Sequence, residues 1–503
     1  MRLSRGPAKE EATSGHAASS CRPPLWPSRV RPWLTRCALA MAILPWCMWC
    51  AFIARAHHVE GWDEGSYVLS GLALRGYHVP YASHRAPVTG FICAAFVGWE
   101  RFLNPVLLAA LLVVLYLWTR RLLGPIPAAL SLLLLICQNL MLESTVEIMS
   151  ELPAALLMLL GFFCLARERF WVSALCFALL VFTRWNLAPV WAVVFLAVLI
   201  RFGLRQALKF ALIGLIIFSA WYGITISMRS NINWVGVPGK DIPNPLVMAY
   251  GNFIAGKEWA PNPDQIPNFL VRLRFYGKHC FFLTPFILFA LIVSPIQNFR
   301  KHLCTELWTI LVVLPIAMLS YLFTMLNMGA LFPRFMAPLI PSAIVLFLCG
   351  ILEFSHLFQE VRRTQIMAIA VFVSCAVGLW PLSAVKHVHQ IEGAPAVFSP
   401  TLRKQIQEID RTAYLYGIPQ QPLIRNHANP AMVEARHFIF FPSASHDWHD
   451  AIVEEPESTD SVEKLAEACR PGDLLIIFKK SASRFDEASV VAADAQWAVI
   501  RKP

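Results

Sequence analysis

Long apolar runs separated by short polar connections dominate the sequence and predict its architecture. A bilayer-crossing helix needs about 20 predominantly apolar residues, and most of the runs approach that length. The pattern predicts a polytopic α-helical membrane protein with about eleven transmembrane helices. The run at 170–183 is short, so residues 170–200 form either two spans or one shallow hairpin. The predicted runs lie at about 33–54, 102–119, 124–141, 152–166, 170–183, 187–200, 208–227, 280–297, 305–325, 336–353 and 366–382.

Basic residues lie in short clusters between these runs and predict the orientation of the chain. Lys and Arg accumulate in cytoplasmic loops, and a cytoplasmic N-terminus followed by eleven spans puts every cluster on that side. The tail then lies outside, with a first outer loop at about 55–101 and a second at 228–279. The clusters are Arg120–Arg121, Arg167 with Arg169, Arg201 with Arg205 and Lys209, Arg300–Lys301, and Arg362–Arg363.

The two ends of the chain differ from the apolar centre. Residues 1–32 are rich in Pro, Ser, Ala and Arg, which predicts a disordered basic cytoplasmic N-terminus. Residues 33–383 form the predicted transmembrane domain. The tail, 384–503, has alternating helix-like and strand-like segments and predicts a small extracytoplasmic α/β domain. Its segments are a helix at Thr401–Tyr416 and strands at His437–Phe441 and Leu474–Phe478.

Composition excludes several classes of protein. Of the 503 residues, 57% are apolar and only 15% are charged, which excludes a soluble or a disordered chain. The net charge of +11 divides into about −3 from residue 386 onwards and about +14 before it. Because the basic residues lie in loops between spans, no nucleic-acid partner is expected. The thirteen cysteines show neither a disulfide framework nor a zinc spacing.

The first outer loop holds the densest group of polar residues outside the tail. Asp63 and Glu64 are adjacent, and Tyr67 follows one helical turn after Asp63. Adjacent carboxylates beside an apolar surface can raise one another's pKa, which suits a general base acting on a hydroxyl. The alternative interpretation makes Asp63 a helix N-cap and Glu64 a solvated neighbour.

Two further features lie at predicted outer ends of spans. Glu143, Glu147 and Glu151 stand four residues apart without a basic residue among them, which indicates either a site or a solvated helix end. Arg184 and Arg334 run against the cytoplasmic bias of basic residues. Either a bound phosphate or lipid headgroups would compensate their charge.

Four histidines also share the first outer loop. A zinc site is one interpretation, and interfacial polar side chains without a fixed spacing are the other. The metal therefore stays unknown at this point. The histidines are His57, His58, His78 and His84.

In order and sidedness, these residues resemble the GT-C class of membrane glycosyltransferases, specifically family 39 and the related protein O-mannosyltransferases and lipid A aminoarabinose transferases. The loop motif of that family matches Asp63-Glu64, Tyr67, Gly76 to Pro80-Tyr81, and Pro87. Its acid at the start of the fourth span matches Glu151, its arginine before the hairpin's return matches Arg184, and its late Arg-aromatic-x-x-Pro matches Arg334-Phe335 and Pro338 loosely. Two positions depart from the family pattern, His84-Arg85-Ala86-Pro87 for its Lys-Pro-Pro and Glu151 for its Asp.

The resemblance implies transfer of a sugar from a polyprenyl-phosphate carrier to a lipid, glycan or protein acceptor, with inversion. It implies that Asp63 is the general base and that Glu64 and Glu151 position the acceptor or hold a divalent cation. Arg184, Arg334 and Arg85 would neutralise the leaving phosphate, and Tyr67, Tyr81 and His84 would contribute to substrate binding.

Two other function classes compete with this one. A transporter or flippase of lipid-linked saccharides would need polar or broken helices at mid-membrane, and the spans carry almost no charge. A membrane scaffold that presents its tail to partners would lose all function on deletion of 390–503. The expected location is the bacterial inner membrane, with the catalytic loop in the periplasm.

Overall fold

The computed structural model describes the greater part of the predicted membrane domain and a portion of the tail. The described residues are 32–56, 67–68, 70–71, 74–75, 86–97, 99, 102–231, 271–274, 305–327, 333–355, 401, 405, 439–441, 474–479, 486, 489–493 and 497–501. The predicted disorder of the N-terminus concerns residues that lie almost wholly outside these ranges, and it stays a prediction.

Helices make up nearly all of the described membrane part. In chain order the α-helices are α1 (Pro32–Ala56), α2 (Pro87–Ala95), α3 (Leu103–Leu123), α4 (Pro125–Ile136), α5 (Asn139–Val146), α6 (Glu151–Ala166), α7 (Phe170–Val181), α8 (Ala188–Phe202), α9 (Leu204–Asn231), α10 (Thr305–Trp308), α11 (Leu314–Asn327) and α12 (Ile340–Ser355). Short 3₁₀ segments at Trp185–Leu187 and Pro333–Leu339 precede α8 and α12, and a π-helical turn at Thr309–Val313 joins α10 to α11.

Six helical segments in the described chain are long and apolar enough to cross a membrane. A seventh results if the bent pair α4 and α5 counts as one span. The predicted runs at 280–297 and 366–382 lie outside the described residues, so the total of eleven stays a prediction. The short run at 170–183 forms the 12-residue helix α7, about 18 Å long, whereas Trp185–Phe202 has the length of a span.

The predicted run at 124–141 is not one straight helix. It divides into α4 and α5, whose axes meet at 66°. The backbone N–H of Gln138 donates to the Leu135 carbonyl at 3.0 Å, and its side-chain amide donates to the Leu134 carbonyl at 3.2 Å. The side chain thus occupies the acceptor that the backbone of a continuous helix would use. The sequence pattern missed this bend, because the pattern of apolar residues does not show that the Gln138 side chain bonds to the backbone of its own helix.

The helices share one extended core. Trp46 and Trp118 are almost fully buried in it, with Phe162 and Phe177 in edge-to-face contact at 5.0 Å. Gly161 permits this contact, since a Cβ at this position would lie 2.9 Å from the Phe177 ring. The indole N–H of Trp46 donates to the Leu132 carbonyl at 3.0 Å and joins α1 to α4. Close packing and buried hydrogen bonds between helices therefore hold the bundle together.

The described tail residues form a four-stranded antiparallel sheet. Its strands are β1 (Ile439–Phe441), β2 (Leu474–Phe478), β3 (Val490–Ala493) and β4 (Trp497–Arg501), in the order β1-β2-β4-β3. The strand predicted at 474–478 is confirmed, the strand predicted at 437–441 is confirmed over its described residues 439–441, and β3 and β4 were not predicted. The predicted helix at 401–416 lies largely outside the described residues. The α/β class and the boundary of the tail stay predictions.

Candidate active site

Glu151 is an acid buried at the first position of a membrane helix. It begins α6, and only 2% of the residue is exposed. The N-terminus of a helix carries a partial positive charge, which stabilises a carboxylate there. Burial of a charged carboxylate in an apolar bundle requires a partner of opposite charge.

Arg184 provides that partner. It lies in the turn after α7, and its Nη1 is 2.6 Å from Oε1 of Glu151, with both side chains buried. Its guanidinium also lies over the Phe335 ring, 4.4 Å from the centroid. Burial alone would lower the pKa of Arg184, but the Glu151 carboxylate, with Tyr321 and Tyr67 adding to it, raises that pKa above its ordinary value. Arg184 is therefore a fixed positive charge.

Arg334 is the second cation beside the same acid. Its Nε lies 3.6 Å from Oε1 of Glu151, and about a third of its side chain is exposed. It belongs to the 3₁₀ segment Pro333–Leu339, where the hydroxyl of Tyr321 donates to the Phe335 carbonyl at 2.7 Å. We call Glu151, Arg184 and Arg334 the acid–arginine cluster, since one carboxylate oxygen faces both guanidinium groups.

The second carboxylate oxygen of Glu151 is different. Oε2 is buried and has no hydrogen-bond partner in the part of the chain that the structure describes. A buried acceptor without a donor costs free energy, on the order of 1–3 kcal/mol. A substrate hydroxyl, a water molecule or a cation at this oxygen would remove that cost.

Elements of the first outer loop approach the cluster. Tyr67 is helical and 5% exposed, and it lies close enough to Arg184 to affect its electrostatics. Further along the predicted loop, the backbone N–H of Val88 donates to the Phe182 carbonyl at 3.0 Å, two residues before Arg184. Two described parts of the predicted catalytic loop thus lie beside the segments that carry the acid–arginine cluster.

Gly71 brings the helical part of this loop against α2. A Cβ at Gly71 would lie 2.7 Å from the backbone nitrogen of Ala94 and from the Cβ of Cys93. Contacts under 3 Å cannot form, so only glycine permits this approach. The position of Tyr67, four residues earlier, depends on it.

The predicted site residues divide into two groups. The structure brings together Tyr67, Glu151, Arg184 and Arg334, which come from four separate segments. The predicted residues Asp63, Glu64, Tyr81, His84 and Arg85 lie outside the described residues. Of the three acids at 143, 147 and 151, only Glu151 makes a described ion pair with the two arginines.

Several residues of the site were not predicted from the sequence. Tyr321 donates to the carbonyl of Phe335, whose ring lies against Arg184, and Asn104 donates to the carbonyls of Thr145 and Glu147 ahead of Glu151. Asn104 and Tyr321 each stand as a polar group within an apolar run. That contrast is the signal that could have identified them.

Histidine, cysteine and carboxylate side chains are the groups from which a metal site would be built. Among the described residues, no group of three or more His, Cys, Asp or Glu side chains could hold a metal ion. Glu151 is the described carboxylate that could contribute one ligand, through Oε2. The loop histidines His57, His58, His78 and His84 lie outside the described residues.

Comparison with known proteins gives a fold. No protein-family model and no curated protein matches the chain. Among solved structures, ArnT from Cupriavidus metallidurans bound to undecaprenyl phosphate is similar, with a TM-score of 0.55 and 13% identity over 94% of this chain and 99% of that one. The apo state of the same ArnT is similar too, with a TM-score of 0.54 and 15% identity over 94% of this chain and 98% of that one. The chain therefore has the fold of ArnT, a GT-C fold, as the sequence resemblance predicted.

Proposed function

We propose that this protein transfers a sugar from a polyprenyl-phosphate donor to an acceptor at the outer face of the membrane, with inversion at the sugar. The observation that carries the proposal is the buried acid–arginine cluster at one end of a bundle with the ArnT fold. The ArnT structure from Cupriavidus metallidurans contains undecaprenyl phosphate, and two arginines beside a membrane surface suit such a phosphate.

In this proposal the arginines serve the leaving group. When the sugar–phosphate bond breaks, the bonding electron pair stays on the phosphate, and its negative charge increases. Arg334, which is partly exposed, and Arg184, which is buried, would neutralise that charge together with Arg85. Charge that develops in the transition state is where fixed cations lower the barrier most.

Asp63 would act as the general base. Its carboxylate takes the proton of the acceptor hydroxyl while the hydroxyl oxygen forms a bond to the anomeric carbon. The bond from that carbon to the phosphate oxygen breaks on the opposite face, and polyprenyl phosphate leaves. Glu64 and Glu151 would position the acceptor substrate. Oε2 of Glu151 would accept a hydrogen bond from it. In the alternative role both acids hold a divalent cation, and Tyr67, Tyr81 and His84 contribute to binding.

The bundle would lie in a bacterial inner membrane with the acid–arginine cluster toward the periplasm. The basic clusters at the opposite end of α6 support this orientation, because basic residues favour the cytoplasmic side.

A transporter of lipid-linked saccharides is the second candidate. The bend between α4 and α5 favours it, since discontinuous helices with buried polar residues often line transport sites. Purified protein in liposomes distinguishes the two. Movement of undecaprenyl phosphate between leaflets without sugar transfer would support the transporter and contradict the enzyme.

The decisive experiment uses Asp63→Asn in a deletion strain of the source organism. We expect deletion to leave a polyprenyl-phosphate sugar unconsumed and one envelope glycan changed, as measured by mass spectrometry. Asp63→Asn should lower transfer by about 10²–10⁴-fold, with insertion and binding of undecaprenyl phosphate retained. Glu60→Gln, an acid of the same loop, is the matched control and should restore the wild-type glycan. Full transfer by Asp63→Asn would exclude Asp63 as the base, and unchanged glycans in the deletion strain would contradict the enzyme.

A further inference from the structure

A short non-helical turn at residues 147–150 leads into Glu151. It connects α5 to α6, and Glu147 has an extended backbone with φ −100° and ψ 152°. The last carbonyls of a helix have no partner within that helix and need donors from elsewhere. The Thr145 carbonyl belongs to the last turn of α5, and the Glu147 carbonyl lies just beyond the end of that helix.

Asn104 supplies both donors from another helix. Its side-chain amide donates to the Thr145 carbonyl at 2.9 Å and to the Glu147 carbonyl at 2.8 Å. A primary amide nitrogen carries two N–H donors, so one side chain satisfies both groups. The residue is only 3% exposed, and water has little access to replace it. The start of α3 is thereby joined to the end of α5.

The same turn is also held by packing. Ile148 and Met149 are buried in a small cluster with Tyr67 and Leu103. The indole N–H of Trp49 donates to the Thr145 hydroxyl at 2.8 Å. Displacement of the turn would therefore move both the start of α6 and the contacts of Tyr67.

We infer that Asn104 is a positioning residue for the acid–arginine cluster. By holding the carbonyls four and six residues before Glu151, it sets the place of the turn 147–150 and so of Glu151 between Arg184 and Arg334. The inference rests on the proposed function and deepens it. Its action is indirect, because the two hydrogen bonds go to the backbone.

Loss of Asn104 would remove the amide donor from the buried Thr145 carbonyl and from the part-buried Glu147 carbonyl, and the turn would shift in response. A displacement of about 1 Å in a catalytic group can lower a rate by about 100-fold. We therefore expect Asn104→Ala to lower the transfer rate by on the order of 10- to 100-fold. Asn104→Leu keeps the volume without the donors and should give the same loss.

A matched control separates positioning from general destabilisation. Ser173 donates to the Gly161 carbonyl at 3.0 Å, another buried hydrogen bond to the backbone between helices, at the middle of α6. Ser173→Ala should lower the unfolding temperature in detergent without a loss of transfer rate per folded molecule. If the transfer rate falls in proportion to the unfolding temperature, and by the same proportion in the Ser173 and Asn104 variants, the inference is overturned.

A double-mutant cycle with Glu151→Asp gives the sharper test. This variant keeps the carboxylate one methylene shorter, with transfer expected to fall on the order of 100-fold. If Asn104 acts through Glu151, adding Asn104→Ala should lower the rate only a few-fold more, whereas independent effects would multiply. Should Asn104→Ala fail to fold, Asn104→Ser, which keeps one donor, enters the same cycle. If the wild-type protein transfers sugar and the effects of the two substitutions multiply, the role of Asn104 is overturned. Absence of transfer by the wild-type protein would instead overturn the proposed function.

Discussion

The two ends of the helix bundle each contain an Arg–Glu pair between helices, and the pairs differ in burial. At one end both Arg184 and Glu151 are buried, with Arg334 beside them. At the other end Arg121 pairs with Glu306 at 3.2 Å, but 46% of the Arg121 side chain is exposed. The ends are separated by the 16 residues of α6, roughly 24 Å.

The other contacts follow the same division. At the basic end, Glu168 accepts from the exposed Thr305 hydroxyl at 2.7 Å, and Arg201 lies 4.9 Å from the Trp308 ring centroid. These groups retain access to solvent.

At the cluster end, Glu151 Oε2 is buried without a hydrogen-bond partner in the described chain. Near the basic end Thr119 Oγ1 and Gln206 Oε1 are also buried without a hydrogen-bond partner in the described chain, but they are neutral atoms, whereas Glu151 Oε2 belongs to a carboxylate. The difference between the two ends is therefore the burial of an incompletely paired charge, and perturbed charged groups cluster at functional sites.

The largest difference should come from removing one arginine at each end. Arg184→Met leaves the Glu151 carboxylate buried without its nearest cation, at a cost of about 3–5 kcal/mol in the free energy of unfolding. Arg121→Met leaves Glu306, which is only 5% exposed, without its cation, but Arg121 is half exposed and water screens the pair, so the cost should be smaller, about 1–2 kcal/mol. Thermal unfolding in detergent measures both. Equal losses would show that the buried pair has no special role in stability.

A glycine at each end gives the second test. Gly71→Ala puts a Cβ against the backbone of α2 and should cost about 1–3 kcal/mol in unfolding free energy. A Cβ at Gly203 would meet no atom within 4 Å, but the φ of +78° is strained for any residue other than glycine. Gly203→Ala should therefore lower the free energy of unfolding by a similar amount.

The two glycine variants should differ in function. Gly71→Ala displaces the loop helix that holds Tyr67, so binding of undecaprenyl phosphate should weaken about tenfold or more. Gly203→Ala lies in a turn at the basic end and should bind as the wild type does. Titration of each purified variant with undecaprenyl phosphate measures this. Wild-type affinity in Gly71→Ala would contradict the link between the loop and the cluster.

The smallest effects should come from removing one hydroxyl at each end. Tyr321→Phe removes the donor to the part-buried Phe335 carbonyl and should cost about 1 kcal/mol. It should also weaken binding of undecaprenyl phosphate several-fold, because this bond fixes the 3₁₀ segment that carries Arg334. Thr305→Val removes the exposed bond to Glu168 and should change stability by under about 1 kcal/mol, with binding unchanged. Equal behaviour of the two variants would contradict a role for Tyr321 at the cluster.

Much of the fold could be predicted from hydrophobic pattern. Apart from the runs at 280–297 and 366–382, which lie outside the described residues, each predicted apolar run falls on helix. The bend at Gln138 could not be predicted, because it depends on a hydrogen bond from the Gln138 side chain to the Leu134 carbonyl, which hydropathy does not show. The strands β3 and β4 were also missed. Val490–Ala493 has only four residues, all of them apolar, so it lacks the alternation of apolar and polar positions that predicts a strand.

The candidate site was predictable only as separate residues. Glu151, Arg184 and Arg334 could be identified because charged residues are rare at the predicted outer ends of the spans, and because the two arginines run against the cytoplasmic bias of basic residues. Their pairing at 2.6 and 3.6 Å could not be read from the sequence, since it joins residues 33 to 183 positions apart. The roles of Asn104 and Tyr321 depend on which backbone carbonyls meet them after packing.

The chain's composition and its apolar periodicity determine that it folds as a bundle of membrane helices, because water rejects such runs and a bilayer accepts them only as helices. The positions of the charged residues indicate, in addition, which ends of the helices carry acids and arginines that depart from the usual pattern of a membrane protein. Packing alone determines that one buried carboxylate oxygen of Glu151 faces two arginines, while the other has no hydrogen-bond partner among the described residues. Local patterns contain no information about contacts between distant segments, and these contacts form only when close packing brings the helix ends together.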